Sequence, residues 1–273
     1  MKTRNIRSFI SLFAAGLIVI SCAGGQRDPG VSSVMDINVP DSERRVISVA
    51  PFDDRSIGTE DYKPWSQGIP DMVMESFMAI PYYRVIARDN ALRTILKEQE
   101  FQLVGATDPD SVVRLGRLLN AQFIVQGSFA VFRETLQINA QVLCVETGEA
   151  VNAVSVQGSL DSFYRLQNEI AIRVTDGMNL HLSEEARAEL IERRDTSVVQ
   201  ASLANYRGEQ RLEQAAVMES RARVERTREL RDEARRITDE ARVDFEEALS
   251  HDEDYERARR NLSRLARSIP MTI

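Results

Sequence analysis

Apolar residues follow two rhythms along this chain, and the change from one to the other divides it. Residues 46–52 read VISVAPF, a continuous apolar run that stops at Asp53-Asp54. That is the pattern of a strand covered on both faces and ending in a polar loop. From Trp65 to Ala79 the spacing turns helical, through Ile69, Met72, Val73, Phe77 and on to Ile80, and Pro81 stops it. YYRVIA at 82–87 predicts a second strand. Asp89 then caps a short helix running through Leu92, Ile95 and Leu96 to about Glu100. Asp108-Pro109 places an N-cap and an N1 proline before Val112, Val113, Leu115, Leu118 and Leu119, a helix that ends near Asn120. Strands at 123–132, 136–145 and 150–157 follow as a meander, linked at 133–135 and 146–149. A helix over 160–180 packs back through Phe163, Leu166, Ile170, Val174 and Met178. The order β-α-β-α-α-β-β-β-α over residues 46–182 predicts an α/β domain, a mixed sheet layered with helices.

The stretch 183–273 keeps the helical rhythm alone, which predicts an all-α tail after the α/β domain. Residues 209–249 hold 9 arginines and 12 acidic residues in 41 positions, with no proline or glycine, the composition of a long exposed helix. Its apolar stripe is narrow: Leu230, Ala234, Ile237, Ala241, Phe245 and Ala248. ARVDFEEAL at 241–249, followed by Tyr255, Ala258, Leu262 and Leu265, resembles the second helix of a tetratricopeptide repeat running into the next helix. About one and a half repeats are visible, whereas solenoids need about three or more, so such a pair must lean on the sheet domain or on another subunit. Three readings follow. The tail is a charged hairpin that only packs, or a peptide- or subunit-docking module contacting its partner through Ala241, Phe245, Ala248, Tyr255 and Leu262, or a coiled coil. Small alanines at many seam positions count against the last.

The front of the chain is an address. Lys2, Arg4 and Arg7 precede a 12-residue apolar run, FISLFAAGLIVI, that ends in Val19-Ile20-Ser21-Cys22. This is the layout of a secretory signal, residues 1–21, and the run is too short to span a bilayer comfortably. The junction resembles a bacterial lipobox, which makes Cys22 the lipidated N-terminus of the mature protein; an ordinary signal peptide with an incidental cysteine is the alternative. Several acyl chains hold a protein on a membrane stably, so no transmembrane helix is required. Ala23 in place of Asp points to the outer membrane. Residues 22–45, rich in Gly, Ser, Pro and charge, read as a flexible tether.

Composition narrows the function classes. Thirty-five basic against 42 acidic residues leave a net charge of −7, which disfavours a nucleic-acid role. With Cys22 acylated, Cys144 is the sole thiol and no internal disulfide can form. Its place in the alternation Leu136, Ile138, Ala140, Val142, Cys144 predicts a small buried hydrophobe. His181 and His251 each follow a helix end, where an imidazolium complements the helix dipole, and neither has a Cys or His neighbour in sequence to share a metal. Asp53-Asp54 could hold a cation or exchange protons, but such pairs more often solvate a turn. The chain has no Gly-rich phosphate loop, no G-x-S-x-G elbow and no H-E-x-x-H. The expectation is a protein that is not an enzyme, with no cofactor, no metal, no small-molecule substrate and no nucleic acid.

VISVAPFDDRS (46–56), YYRVIARDNALRTILKEQEFQLVG (82–105), VVRLGRLLNAQFIVQGSFAVF (112–132) and LQINAQVLCVETGEAV (136–151) resemble the curli-secretion lipoprotein family (CsgG/HfaB-like) and the related TolB N-terminal and flagellar-lipoprotein domains. The residues leading from Leu115 to Gly127 and from Arg88 to Gln99 carry most of the likeness. Gly116 suits close helix packing, and Gly127 suits close approach of another backbone. The resemblance implies a non-enzymatic periplasmic domain, lipid-tethered to the outer membrane, that works in envelope assembly or transport. Its implied partners are the membrane and envelope proteins, with further copies of the chain among the candidates. Curli-type channels also contribute long amphipathic hairpins to a barrel, each strand needing about 9–11 residues. The tight links at 133–135 and 146–149 depart from that pattern. A ring-forming secretion channel subunit and a lipoprotein regulator docking onto a cell-wall synthase remain the alternatives.

Overall fold

The computed structural model describes residues 39–58, 61–86 and 109–268. The signal segment, Cys22, most of the tether, the helix expected at 89–100 and the cap at Asp108 lie outside these residues. The apolar run at 46–52 becomes β1 (Arg45–Asp54), buried at all but its ends and Pro51. After it come α1 (Trp65–Ala79), β2 (Tyr83–Val85), α2 (Pro109–Leu118), β3 (Phe123–Phe132), β4 (Thr135–Cys144), β5 (Ala150–Ser159) and, past one 3-10 turn, α3 (Phe163–Gly177). The five strands form one sheet in the order β2-β1-β3-β4-β5. β1 runs parallel to both neighbours, while β3, β4 and β5 make an antiparallel meander. The fold is α/β with a helical C-terminal region.

Two cores flank the sheet. The larger joins Ile47, Val49, Phe52, Phe129 and Ile138 to Trp65, Ile69 and Phe77 of α1 and to Phe163 and Ile170 of α3. The smaller sets Ala50, Ile124, Leu143 and Val145 against Val112, Val113 and Leu115 of α2. Full burial of such side chains contributes about 1.5–3 kcal/mol each. The two glycines of the family-like segment are used for close approach. A Cβ on Gly116 would lie 2.5 Å from Val145 Cγ2, and one on Gly127 would lie 2.4 Å from the carbonyl oxygen of Asn139.

Four details differ from the sequence reading. Asp53 and Asp54 lie within β1, because the parallel ladder continues through Asp53↔Ser128 and Asp54↔Phe129; the turn starts at Ser56, whose N–H donates to Asp54 Oδ1 at 2.8 Å. Cys144 is half-buried, since β4 ends there and its pairing with β5 slips at Val142/Leu143. Hydrogen bonds from Thr147 hold its thiol below the ordinary value. α3 stops at Gly177 instead of 180, where the chain turns over at Asn179 with φ 58°.

The fourth concerns the tail. It consists of α4 (Glu184–Ile191), α5 (Val199–Glu225), α6 (Arg228–His251) and α7 (Glu256–Ser268). Ser183 caps α4, its Oγ accepting from Ala186 N–H at 3.2 Å. The single long helix expected over 209–249 is a hairpin, broken where Arg226 adopts the left-handed conformation, φ 56° and ψ 29°. An arginine there costs about 1–2 kcal/mol against glycine-like freedom. Folding α6 back onto α5 offsets that cost by burying Ala215, Ala222, Ala234 and Ile237. The sheet with its helices and the C-terminal helices belong to one compact unit.

Candidate functional site

The first half of α5 lies against α1, and the join is made by small residues that admit large ones. Trp65 opens α1, fully buried, stacked on Phe163 at 5.1 Å and edge-on to Phe129 at 6.4 Å. Its Nε1–H donates to Ser202 Oγ of α5 at 3.0 Å. One turn further along α1, Gly68 lies under the Tyr206 ring, so that a Cβ there would meet Cδ2 at 2.6 Å. Burial pushes the Tyr206 phenol well above its ordinary value.

Arg257 of α7 completes the join, its side chain only 15 % exposed. The guanidinium stands 4.9 Å from the centroid of the Tyr206 ring, a cation–π contact. It donates to Glu75 Oε1 of α1 at 2.7 Å and to Glu209 Oε1 of α5 at 3.0 Å, and Asp195 Oδ2 lies 3.5 Å away. Asn261 donates to the same Glu209 oxygen at 2.9 Å and to Asn205 Oδ1 at 3.1 Å. One arginine thus ties α1, the 192–198 link, α5 and α7 together. Burial raises the Glu75 carboxyl above its ordinary value, opposed by Arg257 and assisted by Asp195 and Asp71. Burial would also depress the Arg257 guanidinium, but Tyr206, Glu209 and Glu75 outweigh it and hold the charge firmly in place.

A polar groove of about 510 Å³ runs beside this join, lined by Met72, Glu75, Tyr164, Asn168, Asp252 and Asp254 among others. Its carboxylates are largely committed. Glu75 is held by Arg257, and Asp252 Oδ2 accepts from Thr196 Oγ1 at 2.6 Å. Asn168 is likewise occupied, its Oδ1 accepting from Ser76 Oγ at 2.7 Å and its Nδ2 donating to Arg193 O at 2.7 Å. A second hollow of about 580 Å³ opens at the end of the sheet between Arg45, Arg117, Phe123, Cys144 and Glu146. Among the described residues no group of three His, Cys, Asp or Glu is arranged to hold a metal ion. No helix of the described residues is long and apolar enough to cross a membrane.

The residues read from the sequence as docking contacts lie elsewhere than on a free surface. Ala241 and Phe245 are fully buried with Leu265, and Leu212 and Leu262 pack on them. The Phe245 ring occupies the space that a Cβ on Gly208 would need, 2.7 Å away. Ala248 and Tyr255 are buried with Ala201, Ala204 and Ala258. Ala241, Phe245 and Ala248 of α6 thus face the chain's own α5 and α7, and Tyr255 and Leu262 enter the same clusters from the α7 side. Asp244, whose side chain is 3 % exposed, fastens that seam by accepting from Arg207 Nε at 2.7 Å and from Arg211 Nη1 at 2.6 Å. His181 is exposed and its carbonyl accepts from Tyr82 Oη at 2.9 Å, while His251 is the last residue of α6 and exposed.

Trp65, Ser202, Tyr206 and Arg257 carry no motif, and their partners lie as many as 182 residues away in sequence. The one signal available was positional. At helical spacing Arg257 borders the apolar face formed by Ala258, Leu262 and Leu265, where a charged residue needs a partner.

With this geometry, the chain can be compared with known proteins. Residues 33–136, which include β1, α1, β2, α2 and β3, match the family model described as "Curli production assembly/transport component CsgG". The family resemblance is shown for this segment. No curated protein sequence matches the chain. Among solved structures it is similar to the LpoB C-terminal domain from Salmonella enterica, at 13 % identity and TM-score 0.35 over 48 % of this chain and 87 % of that one. It is also similar to the PelC dodecamer from Paraburkholderia phytofirmans, at 10 % identity and TM-score 0.34 over 51 % of this chain and 91 % of that one. Lipoprotein GNA1162 from Neisseria meningitidis is similar at 16 % identity and TM-score 0.31, over 42 % and 79 % respectively.

Proposed function

We propose that the chain is a lipid-anchored periplasmic protein of the bacterial envelope that serves, without catalysis, as a scaffold or accessory subunit in envelope assembly or transport. The match of residues 33–136 to curli production assembly/transport components carries this reading. The lipobox-like Val19-Ile20-Ser21-Cys22 adds the anchor, with Cys22 as the acylated residue and the outer membrane as its destination. The committed carboxylates of the groove agree with a part played by surfaces instead of by reacting groups. Partner contact in this reading falls to the outer faces of the tail, since the α6 seam is filled from within.

Metabolic labelling with palmitate, in wild type and Cys22→Ala, tests the anchor. Label should be incorporated by the wild type and lost in the variant, and globomycin should cause the unprocessed form to accumulate. Label retained by Cys22→Ala overturns it. The native mass in mild detergent tests the role. A monomer or dimer, alone or with one bound protein, agrees with an accessory subunit. A closed ring that conducts ions in planar bilayers would move the reading to a secretion channel. A cell-wall synthase in the crosslinked pull-down, with stimulated glycan polymerisation, would move it to a synthase regulator.

A further inference from the structure

The outer face of α7 carries a charge that the other described residues do not answer. The helix holds five arginines against one glutamate, in a chain whose net charge is −7. Two of the five are spent internally. Arg257 is committed to the buried join, and Arg259 pairs with Glu256 at 2.6 Å. Arg260 and Arg264 are exposed and form no ion pair or hydrogen bond with any described residue. Among the described residues Arg267, exposed, donates only to its own helix, to Ser263 O at 3.2 Å. Spacings of four and three put these three guanidiniums on one face, opposite the buried Ala258, Asn261 and Leu265. They span about 10 Å along the axis.

We propose that this stripe rests on an anionic phospholipid surface, the guanidiniums pairing with lipid phosphates. A row of unpaired arginines costs self-repulsion in the free protein, and an array of phosphates relieves it. The helix face is convex, without a cavity or an aromatic side chain, so it offers neither a pocket for one defined anion nor a platform for stacked bases. A surface that presents many phosphates at once fits it. The contact is independent of Cys22 and would lay the tail against the bilayer whatever holds the N-terminus.

Flotation of the full chain with vesicles tests the proposal, comparing phosphatidylcholine alone with a 7:3 mixture of phosphatidylcholine and phosphatidylglycerol. Any insertion of the apolar N-terminal run is common to both vesicles and cancels in the ratio of affinities. At about fivefold per arginine near an anionic surface, the ratio should be on the order of a hundredfold, and it should fall towards one at high salt. Arg260→Glu with Arg264→Glu and Arg267→Glu should remove it while leaving the thermal melt unchanged, because these side chains touch no other element. Arg221→Glu with Arg226→Glu and Arg231→Glu, the same change of net charge at the far end of the hairpin, should keep it. Equal affinity for the two vesicles overturns the proposal, as does equal loss in both triple variants. Indifference to phosphatidylglycerol together with stripe-dependent binding of soluble polyglutamate also overturns it, in favour of an acidic protein partner.

Discussion

The sheet domain and the helical tail reach burial by opposite means. Around the sheet the core is broad and built from large side chains, with Trp65, Phe52, Phe77, Phe129 and Phe163 meeting from two helices and two strands. In the tail the seam is one or two residues wide and built largely from alanine, with Phe245 and Tyr255 the only large rings fully enclosed among described residues 228–268. A broad core absorbs its own loss of shape poorly but holds by sheer area. A narrow seam needs something else, and here it is the buried Asp244 pairs and the Arg257 cluster. The contrast teaches that α4 and the start of α5 share the sheet's core through Ala186, Leu190, Val199 and Tyr206, whereas α6 and α7 are held through narrow seams and a few polar contacts.

The comparison breaks most sharply at Trp65, the residue shared by both regions. Trp65→Ala should cost about 3–5 kcal/mol and loosen sheet and α5 together, as denaturant unfolding followed by probes in each region would register. A loss confined to the sheet would mean that the two are not coupled through this ring. Next in size, Phe245→Ala should cost about 3 kcal/mol, but only in the tail. Hydrogen exchange should show α6 and α7 losing protection while β3 and β4 keep theirs.

Gly68→Ala sharpens the comparison, since it alters only the join. The added Cβ at 2.6 Å from Tyr206 Cδ2 must displace a buried ring, at about 1–3 kcal/mol. Proteolysis should then cut the tail from an intact sheet domain. The smallest effect is a pH dependence at Glu75. A carboxyl raised above its ordinary 4.5 contributes stability in its protonated form, present at low pH and lost as pH rises through the raised value. Glu75→Gln should therefore look best, relative to wild type, at pH 7 and lose that advantage near pH 4 in parallel thermal melts. An advantage that grows on acidification would contradict the desolvation account.

Most of the sheet domain was legible because its elements announce themselves locally. α1 runs from Trp65 to Ala79 as its spacing and Pro81 require, and β3 covers Phe123–Phe132 as expected. The tail was legible as helix but not as architecture. The break at Arg226 has neither glycine nor proline to mark it, because the left-handed turn is enforced by packing of the two arms and not by local preference. Ala241 and Phe245 read as free contacts for a related reason. Their cover is supplied by Gly208 and Leu212 of α5 and by Leu262 and Leu265 of α7, residues scattered over two other helices that do not register as one apolar face. The join escaped altogether, since nothing in the sequence ties Glu75 to Arg257.

The position of β1 has a mechanical consequence. It is the first of the described strands and is flanked on both sides by parallel neighbours, β2 and β3. Tension entering at Arg45 and borne by a partner on the tail would run along that strand, loading its two ladders in shear, so that many hydrogen bonds resist together instead of opening one after another. The anchor proposed at Cys22 would therefore pull on the domain along its best-braced strand.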